Sequence, residues 1–245
     1  MKTIYLVIIA AILLNGCVAY YPQVVDIPLI RKKGDIRVDA GYFLIPNING
    51  STNDSNDEGE FQPFSDAGFH ATFSAGITDI LAVQTYASVD GMFRVHLQGA
   101  LGLYKGFENN TVIELYSGLG YGNGFGWWRV FNDAKDDYFL SFAQFNIGKT
   151  NMGAKRMDYG LGLKGGYMKT TSANIDFWYE TIYKKNGWII EPSVFFRFGG
   201  RRVKFCTKVN YLWTNSIIDE YYFPVSISMG VNLHLGKISK KEIPL

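Results

Sequence analysis

The residues of this sequence that could carry out acid–base chemistry are its three histidines, His70, His96 and His234. A hydrolase needs a histidine within hydrogen-bond reach of a carboxylate or of a nucleophilic hydroxyl. His96 and His234 are weak catalytic candidates, with Glu114 expected near His96 on a neighbouring strand. All three histidines fall on the polar side of alternating segments, which favours a second interpretation. In that interpretation they join an internal polar network, and no residue is catalytic.

The two cysteines indicate a modification rather than a disulfide. Residues 4–14 form an apolar run after Lys2, which is too short to cross a bilayer as a helix and is typical of a secretory signal peptide. The run ends in "LNGC", which resembles a bacterial lipobox, so we predict cleavage after residue 16 and diacylation of Cys17. An ordinary signal peptide with an incidental cysteine is the alternative. With Cys17 acylated, Cys206 has no intramolecular partner, and no CxxC metal site exists.

Other candidate sites are weak. The acidic segment 51–60 lacks the spacing of a calcium loop, and the glycine-rich segment 118–126 does not lead from a strand into a helix, as a phosphate-binding loop does. The chain has 24 Lys and Arg against 22 Asp and Glu, a net charge of +2, so no nucleic-acid partner is indicated. We predict no metal and no cofactor.

The elements that must position these residues are strands. Apolar and polar residues alternate in about ten segments, among them "FPVSISMGVNLHLG" at 223–236, and most segments reach the roughly 9–11 residues that a tilted strand needs to cross a bilayer. No later stretch is long enough for a membrane helix. The apolar faces could point to lipid, or inward in a soluble barrel. A soluble barrel would enclose Val225, Ile227 and Met229 in its core.

We predict an all-β fold, a single closed antiparallel up-and-down transmembrane β-barrel of about ten strands, with eight or twelve as alternatives. The domain boundaries that follow are a signal peptide at 1–16, a lipidated periplasmic tether at 17–34, the barrel at 35–236 and a periplasmic tail at 237–245. Long connections are expected after odd-numbered strands, including 169–187, and short turns after even-numbered ones. Outer-membrane barrels have longer loops outside and short periplasmic turns, so both termini are expected in the periplasm.

The polar face of the strands carries charges of both signs. They are Arg37, Asp39, Arg94, Glu114, Asp158, Lys164, Glu191, Arg197, Lys204 and Lys208. A ten-strand barrel is scarcely wider than one that its own side chains fill, and open channels need about 16 strands. Mixed signs favour pairing over ion selection, so a plugged lumen is preferred to a pore. Tyr and Trp residues near the strand ends, among them Tyr121, Tyr138, Tyr167, Trp188 and Tyr211, are typical of interfacial girdles.

Several segments are similar to the lipoprotein-type small outer-membrane β-barrels of the Bacteroidetes. They are the lipobox at Cys17, "KKGDIRVDAGY", "GITDILAVQTYASVDG", "ELYSGLGYG", "IEPSVFFRFG" and "SISMGVNLHL". The resemblance covers nearly the whole mature chain and implies an outer-membrane location, but no established reaction. In such barrels the last strand carries a signal that the barrel assembly machinery reads. Here Ser228, Gly230, Leu233 and Leu235 match its spacing, although the strand ends on Leu rather than on an aromatic residue.

The function expected from the sequence is a structural or accessory role in the cell envelope, without catalysis. The partners would be outer-membrane lipid, the assembly machinery during biogenesis and an envelope protein complex. Two alternatives stay open, a barrel enzyme acting on lipid A or peptides and a narrow channel for small solutes.

Overall fold

The computed structural model describes residues 24–46, 64–90, 94–124, 135–150, 157–176, 179–214 and 225–236. Several predicted features lie outside these ranges. They are the signal peptide, the lipidation site at Cys17, the acidic segment at 51–60 and the C-terminal tail.

Eleven strand segments occupy most of the described chain, and each forms where apolar and polar residues alternate. They are β1 (Ile36–Pro46), β2 (Phe64–Gly76), β3 (Leu81–Asp90), β4 (Val95–Gly106), β5 (Thr111–Gly124), β6 (Lys135–Lys149), β7 (Met157–Asp176), β8 (Tyr179–Gly199), β9 (Val203–Tyr211), β10 (Trp213–Thr214) and β11 (Val225–His234). β9 and β10 both pair with β8 and are interrupted only at Leu212. The wall therefore consists of ten strands.

The strands form one closed antiparallel barrel. Strands that follow each other in the chain pair with each other, and β11 pairs with both β9 and β1. The closing seam runs from Arg37 opposite His234 to Leu44 opposite Ile227. A closed barrel has no free edge, which matters because an unsatisfied backbone group costs several kcal/mol in hydrocarbon. The predicted fold class and the predicted pairing of the last strand with the first are confirmed.

The apolar faces of the strands point outward. Met229 is 54% exposed, whereas its neighbour Ser228 on the same strand is 2% exposed. Leu101, Leu119 and Val194 are likewise exposed on other strands. Soluble monomers rarely expose apolar patches larger than a few hundred Å², so this belt faces lipid and the soluble-barrel alternative is excluded. No helix that could cross a membrane occurs among the described residues.

The two ends of the barrel differ in their connections. One, the short-turn end, carries the connections 77–80, 107–110, 150–156 and 200–202, together with the start of β1 and the end of β11. The other, the long-loop end, carries 47–63, 91–94, 125–134 and 215–224. The expected loop at 169–187 is wrong, because β7 and β8 stay paired from Lys169 opposite Asn186 to Asp176 opposite Tyr179. The connection at this hairpin is therefore only 177–178.

The segment before β1 lies inside the barrel. The sequence predicted residues 17–34 to be a tether outside it, but Val24–Ile30, here called the plug segment, is buried in the lumen. Val24, Val25, Ile27, Leu29 and Ile30 are each at most 2% exposed. The physical reason is composition: these side chains lose contact with water in the lumen, where a solvated tether would have kept them exposed.

The closing seam is tight where two glycines face each other. Gly41 of β1 lies opposite Gly230 of β11. A Cβ at Gly230 would collide with the Ala40 carbonyl oxygen and would lie 2.7 Å from the Gly41 Cα. Both are backbone atoms that cannot rotate away, so glycine is required at Gly230 for the strands to approach.

We expect Gly230→Ala to reduce the fraction of chains that close into the barrel, because the added methyl group pushes β11 away from β1. The measurement is the heat-modifiable shift on unboiled SDS gels. Gly99→Ala is the matched control, since a Cβ there meets nothing within 4 Å. Equal folded fractions for the two variants would show that the seam tolerates a side chain.

Candidate functional site

The structure places every predicted lumen charge in the barrel interior. All ten charged residues named from the sequence are at most 5% exposed. Burying an unpaired charge is costly, so each must find a counter-charge or hydrogen bonds. The lumen is therefore the candidate site, and its chemistry depends on how these charges are paired.

Asp26 of the plug segment is a convergence point for side chains from four strands. Lys208 Nζ of β9 lies 3.3 Å from its Oδ1. Ser74 of β2 donates to Oδ2 at 3.1 Å, and Gln84 of β3 donates to Oδ2 at 3.2 Å and to the backbone carbonyl at 3.0 Å. Gln144 of β6 donates to the same carbonyl at 2.5 Å. The barrel thus binds both the carboxylate and the backbone of this residue.

Two further barrel side chains hold the backbone of the plug segment. Arg197 donates from Nη2 to the Ile27 carbonyl at 2.7 Å. Glu114 accepts from the Ile30 amide at 2.6 Å, and Asn146 donates to the other Glu114 oxygen at 2.9 Å. Because these contacts are to main-chain groups, the lumen binds the backbone of the plug segment and not only particular side chains.

Asp39 links the plug contacts to the wall. Lys208 lies 3.3 Å from its Oδ1, which joins Asp39 and Asp26 through one ammonium group. Arg197 Nη2 lies 3.7 Å from Oδ2, and His70 Nε2 lies 3.4 Å from Oδ1. The His70 ring also stacks on Tyr86 at 6.3 Å. His70 is therefore a buried member of the polar network.

Two other groups of ion pairs lie on the lumen side of the wall. Lys204 contacts Asp158 at 2.6 Å, with Arg37 at 3.9 Å from the other carboxylate oxygen. Lys164 contacts Glu191 at 3.3 Å and donates to Gln98 at 2.9 Å. Opposite charges are thus neutralised locally, which is the arrangement of a filled interior.

His96 does not meet Glu114, and that expectation is corrected. In the β4–β5 register His96 lies opposite Gly122, whereas Glu114 lies opposite Tyr104. Eight residues separate the two positions, about 26 Å along a strand. The partners of His96 are instead Tyr138 OH, 2.9 Å from Nδ1, and Asp90, 3.7 Å from Nε2.

The cluster around His96 lies toward the long-loop end. Arg94 donates from Nε to Asp90 at 2.6 Å. The sequence predicts Tyr138 to be an interfacial aromatic residue. In the structure it points into the lumen instead and is 2% exposed. A His–Asp pair can transfer protons, but Asp90, Arg94 and His96 are all at most 5% exposed, so these side chains are shielded from lipid and from solvent.

His234 lies at the short-turn end, where its Nε2 is 3.2 Å from Oδ1 of Asp35. Asp35 precedes β1 and also accepts from the Arg31 amide at 2.9 Å. Burial alone would raise the pKa of the Asp35 carboxyl. The hydrogen bonds from His234 and Arg31 and the charge of Arg37 together hold that pKa below its usual range. The His234–Asp35 pair thus holds the connection between the plug segment and β1 in place.

The arrangement leaves little free volume beside the plug segment. The cavity lined by Val24, Asp26, Gln98 and Lys164 has a volume of about 10 Å³, which is at the lower limit for a single water molecule. Among the described residues, no group of three or more His, Cys, Asp or Glu side chains could hold a metal ion. Cys206 is a buried free thiol in β9.

The residues of the predicted assembly signal lie on β11 and just after it. Ser228 points into the lumen, Gly230 lies at the closing seam, and Leu233 and Leu235 face outward, Leu235 being 60% exposed. Their spacing thus places the two leucines on the lipid side near the short-turn end.

Two solved structures are similar to this barrel. Outer membrane protein OprG from Pseudomonas aeruginosa aligns with 84% of this chain and 98% of its own, at 14% identity and a TM-score of 0.42. The attachment invasion locus protein Ail of Yersinia pestis aligns with 83% of this chain and 99% of its own, at 11% identity and a TM-score of 0.36. No protein-family model and no curated protein matches the sequence.

Sequence reasoning missed Asp26, Asp35 and Asp90 as members of the lumen network. Asp26 was assigned to a solvated tether, although the apolar residues around it in "VVDIPLI" were the available signal. Asp90 ends β3 four residues before Arg94, so a strand-end ion pair was also readable from the spacing. Asp35 precedes the alternating segment by one residue and carried no signal of its own.

We expect Asp158→Asn to lower the free energy of unfolding by roughly 3–5 kcal/mol, because it leaves Lys204 and Arg37 buried without their counter-charge. Urea unfolding in detergent micelles measures this. Glu108→Gln in an exposed turn is the control and should change stability by less than about 0.5 kcal/mol. The double variant Asp158→Asn with Lys204→Met should recover part of the loss. A double variant no more stable than Asp158→Asn would argue against a charge effect.

We expect Asp35→Asn to be less stable than the wild type at pH 7. The pKa of the Asp35 carboxyl is 3.8 in the unfolded chain and lower in the folded protein. The ionised carboxylate therefore stabilises the fold at pH values above 3.8, and this contribution is lost as the pH falls through the pKa of the folded protein. Thermal unfolding in micelles at pH 7 and at pH 3 should therefore give a difference that shrinks at low pH. A difference independent of pH would mean that the carboxylate charge is not what matters.

Proposed function

We propose that this protein is a lipid-anchored outer-membrane β-barrel with a structural or accessory role in the cell envelope, closed to solutes and without catalytic activity. The observation that carries the proposal is the plug segment, whose Asp26 is held by Lys208, Ser74, Gln84 and Gln144 from four strands. A protein that conducts needs a continuous water path, and here a stretch of the chain itself occupies that path.

The charges of the wall support the same proposal. A channel selects ions with rings of one sign or with backbone carbonyls, whereas Lys204 pairs with Asp158 and Lys164 with Glu191. The histidine that best resembles a catalytic residue, His96, is buried with Asp90 and Tyr138. Among the described residues, these lumen charges and the His96 cluster are thus engaged with one another, which supports a closed interior.

The anchor and the surroundings are part of the proposal. Cys17 would carry the lipid, since two acyl chains give stable attachment where one does not. The exposed apolar belt, which includes Leu101 and Val194, would contact outer-membrane lipid after the assembly machinery has inserted the barrel. The short-turn end and the C-terminus would lie in the periplasm, as short turns do in outer-membrane barrels. Envelope proteins of a larger complex are the expected partners, to be identified by pull-down from solubilised membranes.

Planar-bilayer recording tests the closed lumen. We expect the wild type to give no conductance, and a variant with residues 24–30 replaced by Gly-Ser repeats to give discrete conductance steps, because the apolar side chains and Asp26 no longer fill the lumen. Lys208 keeps Asp39 as its counter-charge in that variant, which favours a folded barrel.

The control is the same replacement at residues 48–54, which should stay silent. Conductance by the wild type would support the channel alternative instead. Silence of the plug variant, with a normal heat-modifiable shift, would show that the wall charges alone close the lumen. Hydrolysis of lipid A or peptides that is lost in His96→Ala would favour the enzyme alternative.

A further inference from the structure

The plug segment runs along the lumen from the short-turn end toward the long-loop end when it is followed from Ile30 back to Val24. Gly76 and Gly106 are the last residues of β2 and β4 and lie at the short-turn end. The Gly34 amide donates to the Gly76 carbonyl at 2.8 Å, and the Arg31 carbonyl packs on Gly106. The Ile30 amide donates a hydrogen bond to the carboxylate of Glu114, the fourth residue of β5. The chain has entered the barrel from its short-turn end by this point.

The contacts continue toward the long-loop end. Ile27 packs on Gly162, the sixth residue of β7. The Val25 amide donates to Asn210, next to last in β9, at 3.3 Å. Val24 packs with Phe43 and Ile45, near the end of β1. The amino end of the segment therefore points at the long-loop end, and Val24 already lies beyond the middle of the wall formed by β1.

The described part of the lumen is closely packed beside Val24–Asp26. The cavity along Val24–Asp26 measures about 10 Å³, and the wall residues next to it, Gln84, Tyr86 and Gln144, are each at most 6% exposed. A second extended strand of peptide needs far more than one water volume. The direction of the plug segment and its close packing therefore both favour the long-loop end over a return path beside Val24–Asp26.

We propose that the N-terminal segment is threaded through the barrel, so that everything before Val24 emerges at the long-loop end, on the side of the membrane opposite to the C-terminus. This replaces the expectation that both termini lie in the periplasm. The threading rests on the proposed function only for the statement that the long-loop end faces the outside of the cell. Cys17 and its lipid would then be displayed there.

The length of the chain is compatible with this placement. Positions 17 and 24 are seven residues apart, which span about 25 Å when extended. The apolar band of such barrels is also about 25 Å tall, and Val24 starts inside it. Acyl chains on Cys17 can therefore reach the membrane surface at the long-loop end without crossing the lumen again.

The test is the sidedness of protease-cleavable epitope tags in the full-length protein in cells. One tag is inserted after Ala19, a second follows Leu245, and a third is inserted in residues 51–60. Protease and antibody are added to intact cells and to cells with a permeabilised outer membrane. We expect the tags after Ala19 and in 51–60 to be reached in intact cells, and the C-terminal tag only after permeabilisation.

Each outcome discriminates between the two ideas. A tag after Ala19 that shares its accessibility with the C-terminal tag, or that stays protected in permeabilised cells, overturns the threading. A tag in 51–60 that is reached only after permeabilisation overturns the proposed orientation. In that case threading still requires the Ala19 and C-terminal tags to lie on opposite sides. Normal heat-modifiable migration of each tagged protein verifies that the barrel has folded.

Discussion

The constraint on which this structure depends is that no backbone amide or carbonyl can stay unpaired in hydrocarbon. An open sheet would leave a row of such groups at each edge, at a cost of several kcal/mol each. β11 must therefore reach β1, and at Gly41 opposite Gly230 the two backbones leave no room for a side chain. The ten strands of the closed wall set the width of the lumen. The interior follows from that width.

A lumen of this width cannot hydrate the charged side chains that point into it. Lys204, Lys164 and Lys208 are each at most 3% exposed and must be neutralised by neighbours rather than by water. Lys164 pairs with Glu191, which lies opposite it on the adjacent strand β8. Lys204 of β9 pairs with Asp158 of β7, across the intervening strand β8. Lys208 instead bridges the wall and the plug segment through its two carboxylate partners. The plug segment is thus part of the charge balance of the wall and not only a filler of its volume.

The sequence predicted those features that depend on local pattern. Alternation with a period of two identifies both the strands and the inward-facing charges, because it needs no knowledge of pairing. Pairing between distant residues depends on register, which is why His96 was placed beside Glu114 when its partners are Tyr138 and Asp90. Residues 169–187 were predicted to form a long connection, yet β7 and β8 stay paired from Lys169 to Asp176. Outside lipid a strand needs no apolar face, so the pattern carries no information there.

The plug segment was the largest departure from expectation, and its contacts explain how a short peptide can close a barrel. Gln84, Gln144 and Arg197 bind main-chain carbonyls of the segment, which every residue offers. Only Asp26 is held through a charged side chain, so it alone fixes the register of the segment against the wall. Because the segment is covalently joined to β1, its local concentration is on the order of millimolar or higher. Contacts too weak to hold a free peptide are then sufficient to keep the lumen occupied.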